Sequence, residues 1–439
     1  MNSHRLCRYG ILVWLGAALP TLAADLKSDD WPQFRGPHRN DISDDKGLLT
    51  EWPSDGPPLV WKSPGVGIGF SSLAIAGDQV FTMGDMKDEK KSDPKGAKKN
   101  DPKEACYLFA LNRTTGKPQW KVAVGKAGGN YKGPRCTPSV DGDSVYALGQ
   151  FGDLVCVNTK NGAERWRKNL KTDFDGQEGG WNYTESPLVD GNKLIVTPGG
   201  RKSTMAALDK KTGMPIWKGV VPNGDSAGYS SVVAADIGGT RQYLQLMANG
   251  LVGFSADKGL LLWRYGTGGD RFGGNTANIP TPIVKGDQVF AAAGYGRGGA
   301  LVTLTSSGGK FDVKEEYWNR NLNNKHGGIL LAGDFLYGDR DDSGRPWCAE
   351  FATGKVKWTR DRDSKGGGSA SMTYADGKLY VRYANGWVSL VDPTDGYKEN
   401  GTFKVPNGSN DCWAHPVVVG GKLYIRELDI VWCFNVKAK

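Results

Sequence analysis

Residues 137–166 read TPSVDGDSVYALGQFGDLVCVNTKNGAERW, and they contain one nearly complete copy of a structural repeat. A proline, a β-branched residue, an Asp-Gly turn and an apolar-aromatic pair come first. Short glycine turns between alternating runs indicate a β-hairpin. A second hairpin follows, in which a strand ending at Asn158 leads through a turn at Gly162 to Trp166. Two hairpins in one unit predict four antiparallel strands.

The same unit recurs along the chain at a spacing that is typical of a propeller blade. Its first turn begins at Gly77, Asp141, Asp190, Gly238, Gly286, Gly333, Asp376 and Gly420. A tryptophan follows the second turn at Trp120, Trp166, Trp217, Trp263, Trp318 and Trp358, about 40 to 55 residues apart. This period predicts an all-β propeller of four-stranded blades. A tryptophan that recurs at one place in the repeat predicts packing between adjacent blades.

The two ends of the chain predict how the ring of blades closes. The eighth unit ends at residues 430–436, one strand short, and residues 56–62 (GPPLVWK) look like the tryptophan strand of a unit whose beginning is absent. Pairing these segments would complete the unit and remove two open sheet edges. We therefore expect an eight-bladed β-propeller whose last blade is closed by the N-terminal strand. Seven blades is the alternative.

The first residues of the chain predict export. Arg5 and Arg8 precede an apolar run from Ile11 to Leu19, and small residues follow at Ala23 and Ala24. This is the pattern of a cleaved signal peptide. We assign residues 1–24 to the signal peptide, 25–55 to an N-terminal extension and 56–439 to a single propeller domain. The expected product is a monomer in the periplasm, outside the cell or at the cell surface, with no transmembrane segment in the mature chain.

The formal net charge of +9 does not indicate a nucleic-acid partner. Residues 86–105 (MKDEKKSDPKGAKKNDPKEA) predict a lysine-rich disordered insertion whose acids cancel most of its bases. No basic helix or nucleic-acid-binding motif occurs elsewhere, so we expect no nucleic-acid binding. Of the six cysteines beyond the signal, Cys156, Cys348 and Cys433 hold one place in three separate repeats. This register favours buried thiols over disulfides.

The repeat resembles the PQQ-enzyme repeat, named after pyrroloquinoline quinone (PQQ), most clearly over residues 137–146, 152–158 and 161–166. That repeat is found in quinoprotein alcohol dehydrogenases and in the BamB-like outer-membrane assembly lipoproteins, and the match extends from Leu59 to Val436. The pattern is also similar to that of exported PQQ-like repeat proteins of planctomycete-type bacteria. The resemblance implies the propeller fold but not an activity, because the repeat packs blades with or without a cofactor.

The enzymes and lipoproteins that share the repeat have further features that this sequence lacks. The resemblance to quinoprotein enzymes would imply adjacent cysteines beside the quinone, a tryptophan floor, a calcium ion held by Glu and Asn, and an Asp as base. Here no two cysteines are adjacent and no Cys-x-x-Cys-His haem signature occurs. Cys7 precedes the apolar run, so it does not fit the acylated cysteine of a lipoprotein.

The segments that enter the innermost strands predict a ligand site. These segments converge on one mouth of the channel of a propeller, and convergent aromatic and polar groups are typical of small-molecule or peptide pockets. The candidate ligand-binding residues are Arg135, Trp181, Asn182, Tyr183, Glu185, Tyr229, Asn275, Asn278, Lys325, His326, Trp413 and His415. The alternative is that they cap blade ends and hydrogen-bond to exposed backbone.

One segment matches the spacing of a calcium loop. Asp339, Asp341 and Ser343 are followed by a glycine and then by Glu350, as in an EF-hand. Predicted strands flank this segment, so a polar hairpin is the alternative to a strand-flanked calcium site. Residues 294–299 (GYGRGG) satisfy G-x-G-x-x-G but lead into a predicted strand. We therefore exclude a nucleotide site there.

Three functions remain open from the sequence. The leading interpretation is a non-catalytic exported propeller that binds a protein, peptide or glycan in the cell envelope, with no catalytic residues and no cofactor. The first alternative is a PQQ-dependent dehydrogenase that oxidises an alcohol or sugar, with Glu185 or Asn278 on a calcium ion. The second is a BamB-like factor of outer-membrane protein assembly.

Overall fold

The computed structural model describes residues 29–87, 104–131, 133–361, 365–406, 408 and 411–439. The predicted signal peptide, residues 1–24, lies outside the described residues. Of the predicted disordered insertion, residues 88–103 also lie outside them. Its ends are ordered, because Met86 pairs with Ala105 and Lys87 with Glu104 in neighbouring strands. The expectation of disorder was therefore wrong for these four residues.

The described residues form eight sheets, each with four antiparallel blade strands, and the sheet of blade 7 has Ile42–Ser43 as a fifth, parallel strand. This confirms the eight-bladed propeller. In chain order, β1 is Ile42–Ser43 and β2 is Leu59–Pro64. Blades 1 to 4 comprise β3 (Ala74–Ala76), β4 (Gln79–Lys87), β5 (Glu104–Asn112), β6 (Pro118–Lys126); β7 (Ser139–Asp141), β8 (Ser144–Leu148), β9 (Asp153–Asn158), β10 (Glu164–Asn169); β11 (Leu188–Asp190), β12 (Lys193–Val196), β13 (Met205–Asp209), β14 (Pro215–Gly219); β15 (Val233–Ile237), β16 (Thr240–Met247), β17 (Gly250–Ser255) and β18 (Leu261–Tyr265).

Blades 5 to 8 continue this order, and a single 3-10 turn, Arg320–Leu322, follows blade 5 among the described residues. Their strands are β19 (Ile283–Lys285), β20 (Gln288–Ala293), β21 (Gly298–Ser307), β22 (Lys310–Asn319); β23 (Leu330–Ala332), β24 (Phe335–Asp339), β25 (Pro346–Glu350), β26 (Val356–Thr359); β27 (Ala370–Ala375), β28 (Lys378–Tyr383), β29 (Trp387–Asp392), β30 (Lys398–Lys404); β31 (Val417–Val419), β32 (Lys422–Glu427) and β33 (Ile430–Asn435).

Strand β2 closes the ring, as the sequence predicts. It pairs antiparallel with β33, with Trp61 opposite Cys433 and Lys62 opposite Trp432. The outer strand of blade 8 therefore comes from the N-terminal side of the chain. With it, blade 8 has four strands, like the other blades.

The recurring tryptophan joins five of the eight blades to the next blade, also as predicted. Its indole N–H donates to a backbone carbonyl of the following blade. The pairs are Trp61 to Arg113, Trp120 to Thr159, Trp166 to Lys210, Trp217 to Ala256 and Trp358 to Pro393. At Gly116, Gly162, Gly213 and Gly259 the ring lies so close that an added Cβ would come within 2.3–2.8 Å of it. Glycine at these turns is therefore a packing requirement.

Three blades depart from this pattern, and one of them is blade 7, whose outer strand β30 contains no tryptophan. In blade 5 the docking residue is Tyr317, whose hydroxyl donates to Phe351 O, and not the predicted Trp318. The strand pairing has a bulge after Leu301, and Tyr317 lies opposite Leu301. Trp318 is one position further along the strand and packs on Phe272 instead. In blade 4 the Trp263 indole donates to Gln242 within its own blade.

A belt of side-chain hydroxyls links neighbouring blades at the inner side. Each backbone N–H of the belt donates to the hydroxyl at the equivalent place in the next blade. The pairs are Ser72 to Thr137, Thr137 to Ser186, Ser186 to Ser231 and Ser231 to Thr281, at 2.9–3.4 Å. These bonds satisfy buried backbone donors where the chain enters each blade.

The N-terminal extension fills one end of the channel, which the sequence did not predict. Trp31 exchanges two backbone hydrogen bonds with Ile75 of blade 1, and β1 pairs parallel with β27 of blade 7. Between these points Arg39 contacts the segments that lead into blades 3 and 4, and Arg35 contacts those that lead into blades 5 and 6. Blades 3 and 7 face each other in a ring of eight, so the segment crosses the axis. We call residues 31–43 the plug.

The plug arginines satisfy carbonyl groups around the channel. Arg39 donates to Val232 O at 2.9 Å and to Ser186 O and Pro187 O at 2.9 and 2.5 Å. Arg35 donates to Ile329 O and forms a buried ion pair with Asp41 at 2.6 Å. Burial lowers the pKa of Arg39 to about 10, so it remains a cation at neutral pH.

The six cysteines of the described residues are free and buried. This confirms the prediction of buried thiols. Burial raises the pKa of the Cys136 thiol to about 12, so it stays protonated and unreactive.

Candidate functional site

A cavity of about 390 Å³ lies above the plug, at the mouth where the chain enters the innermost strands. Phe34 and Arg35 of the plug contribute to its lining. Most of the other lining residues come from the lead-in segments of the blades, and Tyr295, Asp342 and Ala384 come from the loops between the second and third strands of their blades. The cavity is therefore a cup with a floor, and we use that name for it below.

Seven of the twelve predicted ligand-binding residues line the cup. They are Arg135, Trp181, Tyr229, Lys325, His326, Trp413 and His415. The sequence pattern thus brings together residues that are up to 280 positions apart in the chain. Whether they bind a ligand remains a prediction.

Three of the other five predicted residues face the interior of the blades. Tyr183 is buried and donates its hydroxyl proton to Pro198 O at 2.8 Å. Glu185 is buried and accepts from Thr197 N at 2.5 Å, and burial raises the pKa of its carboxyl to about 7. Asn278 is buried and donates to Met247 O at 2.8 Å. These three side chains support the fold and do not line the cup.

The last two predicted residues lie near the cup but outside it. Asn182 has a positive φ of 65° and donates to Glu178 at 3.4 Å. Asn275 lines a separate depression that also contains Arg297 and Arg320. Neither is among the lining residues of the cup.

The cup also contains residues that sequence reasoning missed. Phe70, Tyr131, Tyr295, Asp342 and Ser369 all line it. Tyr295 belongs to the glycine-rich segment 294–299, where a positive φ of 56° places it in a turn between β20 and β21. The sequence offered a signal for Tyr131, which is an aromatic residue only four positions before Arg135 in the same lead-in segment.

Two groups of aromatic rings form much of the wall. The Trp413 ring stacks on His326 with centroids 4.0 Å apart and on Phe70 at 4.5 Å. In the second group, the Trp181 ring packs against Tyr229 with centroids 5.4 Å apart and contacts Tyr295 edge to face at a centroid distance of 6.2 Å. Tyr131 and Tyr295 are about half exposed at the rim. The rim is therefore both aromatic and accessible.

Arg135 is the cation of the cup that has no acidic partner among the described residues. Its guanidinium donates one long hydrogen bond, to Trp181 O at 3.4 Å, and lies 5.8–5.9 Å from the ring centres of Phe70 and Tyr131. Burial lowers its pKa from the ordinary value of arginine, yet arginine remains charged at neutral pH. The other basic group, Lys325, pairs with Asp342 at 2.6 Å.

Asp342, Ser369 and His326 form a short proton chain at the edge of the cup. The Ser369 hydroxyl donates to Asp342 Oδ1 at 2.5 Å and lies 3.0 Å from His326 Nδ1. Hydrogen bonding from His326 and Lys325 holds the pKa of Asp342 well below its usual range. Because the single hydroxyl proton goes to the carboxylate, Ser369 Oγ must accept a hydrogen bond from His326 Nδ1–H. Asp342 Oδ1, 3.4 Å from Nδ1, favours the same tautomer. Desolvation lowers the pKa of His326, so the ring is neutral and Nε2 carries its lone pair.

The predicted calcium residues have separate hydrogen-bond partners in the structure. Asp339 is buried and accepts from Ala370 N, while Asp341 accepts from Gly296 N. Ser343 donates to Arg340 O, and Glu350 lies in β25, where it accepts from Thr353. Within the part of the chain that the structure describes, no cluster of three or more His, Cys, Asp or Glu side chains suits a metal ion. The segment is a polar hairpin.

The residues of the cup do not fit PQQ bound together with calcium. The two residues suggested as calcium ligands, Glu185 and Asn278, are committed to Thr197 N and to the Met247 and Ala248 carbonyls. The cup presents one unpaired cation, Arg135, whereas PQQ carries three carboxyl groups. We derive no reaction through this cofactor.

The blades, the plug and the cup define the chain as an eight-bladed β-propeller of PQQ-like repeats with a mouth cavity. A family model described as outer membrane protein assembly factor BamB matches residues 107–360, which is more than half of the chain. The chain belongs to this family.

Sequence relatives cover different parts of the chain. It is 24% identical to the outer membrane protein assembly factor BamB of Shewanella oneidensis over 56% of this chain and 61% of that protein. It is 21% identical to the tetrathionate hydrolase of Acidithiobacillus ferrooxidans over 72% of this chain and 53% of that protein. The chain thus spans about half to three fifths of the length of these relatives. BamB of Burkholderia pseudomallei is 22% identical over 71% of this chain and 85% of its own length.

Solved structures share the fold. BamB from Moraxella catarrhalis superposes with a TM-score of 0.53 at 18% identity, covering 82% of this chain and 98% of its own. Quinohemoprotein alcohol dehydrogenase from Comamonas testosteroni gives a TM-score of 0.64 at 13% identity, covering 94% and 81%. At these identities the likeness shows the architecture alone. No helix among the described residues is long and apolar enough to cross a membrane.

Proposed function

We propose that this chain is a non-catalytic binding protein of the cell envelope and that its ligand or partner segment binds in the cup. One observation carries the proposal: the chain closes its own channel with the plug. This turns a tunnel into a dead-end cavity of about 390 Å³ with aromatic and cationic walls. A concavity with an apolar lining and a few convergent polar groups is what ligand recognition requires.

Family membership supports the envelope setting. The matching relatives include several named outer membrane protein assembly factor BamB. A protein or peptide partner in envelope assembly is therefore the first class to test, and a glycan is the second. The predicted signal peptide agrees with this setting.

Site-specific photo-crosslinking tests where the partner binds. A benzophenone amino acid is introduced at Tyr131 or Tyr295 on the rim, or as a matched control at Met214, which is 58% exposed on an outer hairpin. In intact cells we expect a discrete adduct from the two rim positions and none from Met214. Adducts from Met214 alone would move the binding surface to the outer edge and overturn the proposal.

A dye-linked assay tests the non-catalytic part. The purified mature chain is incubated with PQQ, calcium, an artificial electron acceptor and a panel of alcohols and sugars. We expect no dye reduction above buffer and no saturable quenching of tryptophan fluorescence by PQQ. PQQ-dependent turnover that disappears in Trp181→Ala would establish the dehydrogenase instead.

A further inference from the structure

The inference below rests on the proposed binding role of the cup and concerns the chemistry of its ligand. The cup has one cation that forms no ion pair among the described residues. Lys325 is paired with Asp342, and Arg35 of the plug is paired with Asp41, each at 2.6 Å. Arg135 has only the 3.4 Å bond to a carbonyl. A half-buried guanidinium beside aromatic rings is matched by one planar oxyanion, because carboxylates accept two parallel N–H bonds from arginine.

His326 offers the cup a hydrogen-bond acceptor, whereas Arg135 offers donors. The proton chain through Ser369 fixes hydrogen on Nδ1, so Nε2 is an acceptor without a hydrogen-bond partner among the described residues. The ring is held flat against Trp413 at 4.0 Å and lines the cup. An acceptor of this kind is matched by a hydroxyl group of the ligand.

The walls between these two groups favour a ring. Trp181, Tyr229 and Tyr295 present aromatic surface to the same cavity, together with Ile279 and Pro280. Aromatic side chains pack against the faces of both aromatic rings and sugars, which are flat and apolar on at least one side. The cavity volume is that of a small pocket for a one- or two-ring molecule.

We propose that the cup binds a monoanion in which a carboxylate is attached to a hydroxylated ring. Arg135 takes the carboxylate and His326 Nε2 accepts from a ring hydroxyl. A uronic acid unit of a glycan and a hydroxyaryl carboxylate share this chemistry. Binding involves no covalent step.

Isothermal titration with four probes separates the two sources and the two contacts. D-glucuronate is compared with D-glucose, and 4-hydroxybenzoate with 4-hydroxybenzyl alcohol. We expect one acid to bind at least about tenfold more tightly than its uncharged counterpart, the usual strength of a charge-assisted hydrogen bond. The acid that binds identifies the source.

Variants assign the contacts. Arg135→Gln should remove the preference for the acid over its uncharged counterpart, while Arg201→Gln, at an exposed arginine, should keep it. His326→Phe keeps a ring beside Trp413 but removes the Nε2 acceptor, and it should weaken binding of 4-hydroxybenzoate more than that of benzoate, which has no hydroxyl for His326. Thermal unfolding of each variant shows that it is folded.

Two results would overturn the inference. One is an acid preference that survives Arg135→Gln in a folded protein. The other is the failure of both acids to bind while rim crosslinks form in cells, which would leave the binding role standing and remove this ligand class. Loss of the rim crosslinks as well would instead count against the proposed function.

Discussion

At the scale of single residues, the tryptophan–glycine contact between blades offers a matched test. Gly259 has a φ of +67°, and an added Cβ would lie 2.3 Å from the Trp217 ring. Gly286 has a φ of +61° with nothing within 4 Å. Gly286→Ala should cost about 1 kcal/mol for its backbone conformation, whereas Gly259→Ala should cost about 1 to 3 kcal/mol more for overpacking. Urea unfolding measures both, and equal midpoints would contradict the packing role.

Glu185 predicts an unusual pH dependence of stability. Burial raises the pKa of its carboxyl in the folded protein to about 7, above the ordinary glutamate value. Between those two values the folded state holds a proton that the unfolded state releases, so stability falls as pH rises and levels off above about 7. The loss from this group is at most about 3 kcal/mol. Glu185→Gln should flatten that slope, measured by thermal unfolding from about pH 5 to 8. An unchanged slope would show that Glu185 does not titrate there.

The lead-in segment 181–186 shows why some site residues could be predicted and others could not. Trp181, Thr184 and Ser186 line the cup, whereas Tyr183 and Glu185 point into the blade. The sequence indicates that this segment reaches the channel mouth. It does not indicate which alternate residues face the cavity, because aromatic and acidic side chains are compatible with either direction once they find a partner such as Pro198 O or Thr197 N.

At the scale of elements, the plug is held by the hydrogen bonds of its arginines as well as by the burial of Trp31. Arg39→Ala would leave the Ser186, Pro187 and Val232 carbonyls without their donor. We expect a loss of at least about 3 kcal/mol from unsatisfied buried groups. We also expect faster chymotrypsin cleavage near Trp31 and Phe34. Arg201→Ala, at an exposed arginine, should change neither property. Cleavage as slow as in the unaltered protein would show that the plug is held without Arg39.

The plug could not be predicted because its partners are backbone carbonyls. Residues 31–43 show no hydrophobic period, and their arginines read as surface charge. The carbonyls that accept hydrogen bonds from Arg39 come together only when blades 3 and 4 have folded side by side. The blades themselves could be predicted, because each hairpin has its own turn and each turn appears in the local sequence.

At the scale of the whole molecule, the ring is continuous except at blade 8, and this asymmetry can be measured. Every other blade has four strands that follow one another in the chain. In blade 8, β2 is far from β33 in sequence; it pairs with β33 in the sheet, and its Trp61 docks on blade 1. Trp61→Ala and Trp166→Ala are a matched pair, because each removes an indole that donates to a carbonyl of the next blade and packs on a turn glycine there. Each should cost about 3 to 5 kcal/mol.

The two variants should nevertheless open differently. Without Trp61, β2 can leave β33 at no cost in chain connectivity, so hydrogen exchange should accelerate along residues 59–64 and 430–435 under native conditions. Without Trp166, β10 stays tethered to β9 by a short turn, and local exchange in blade 2 should rise much less. If both variants exchange alike, ring closure through β2 is no weaker than an ordinary blade contact. In that case the plug, which binds blade 1 at Trp31 and blade 7 at β1, on either side of blade 8, is the element that holds the ends of the ring together.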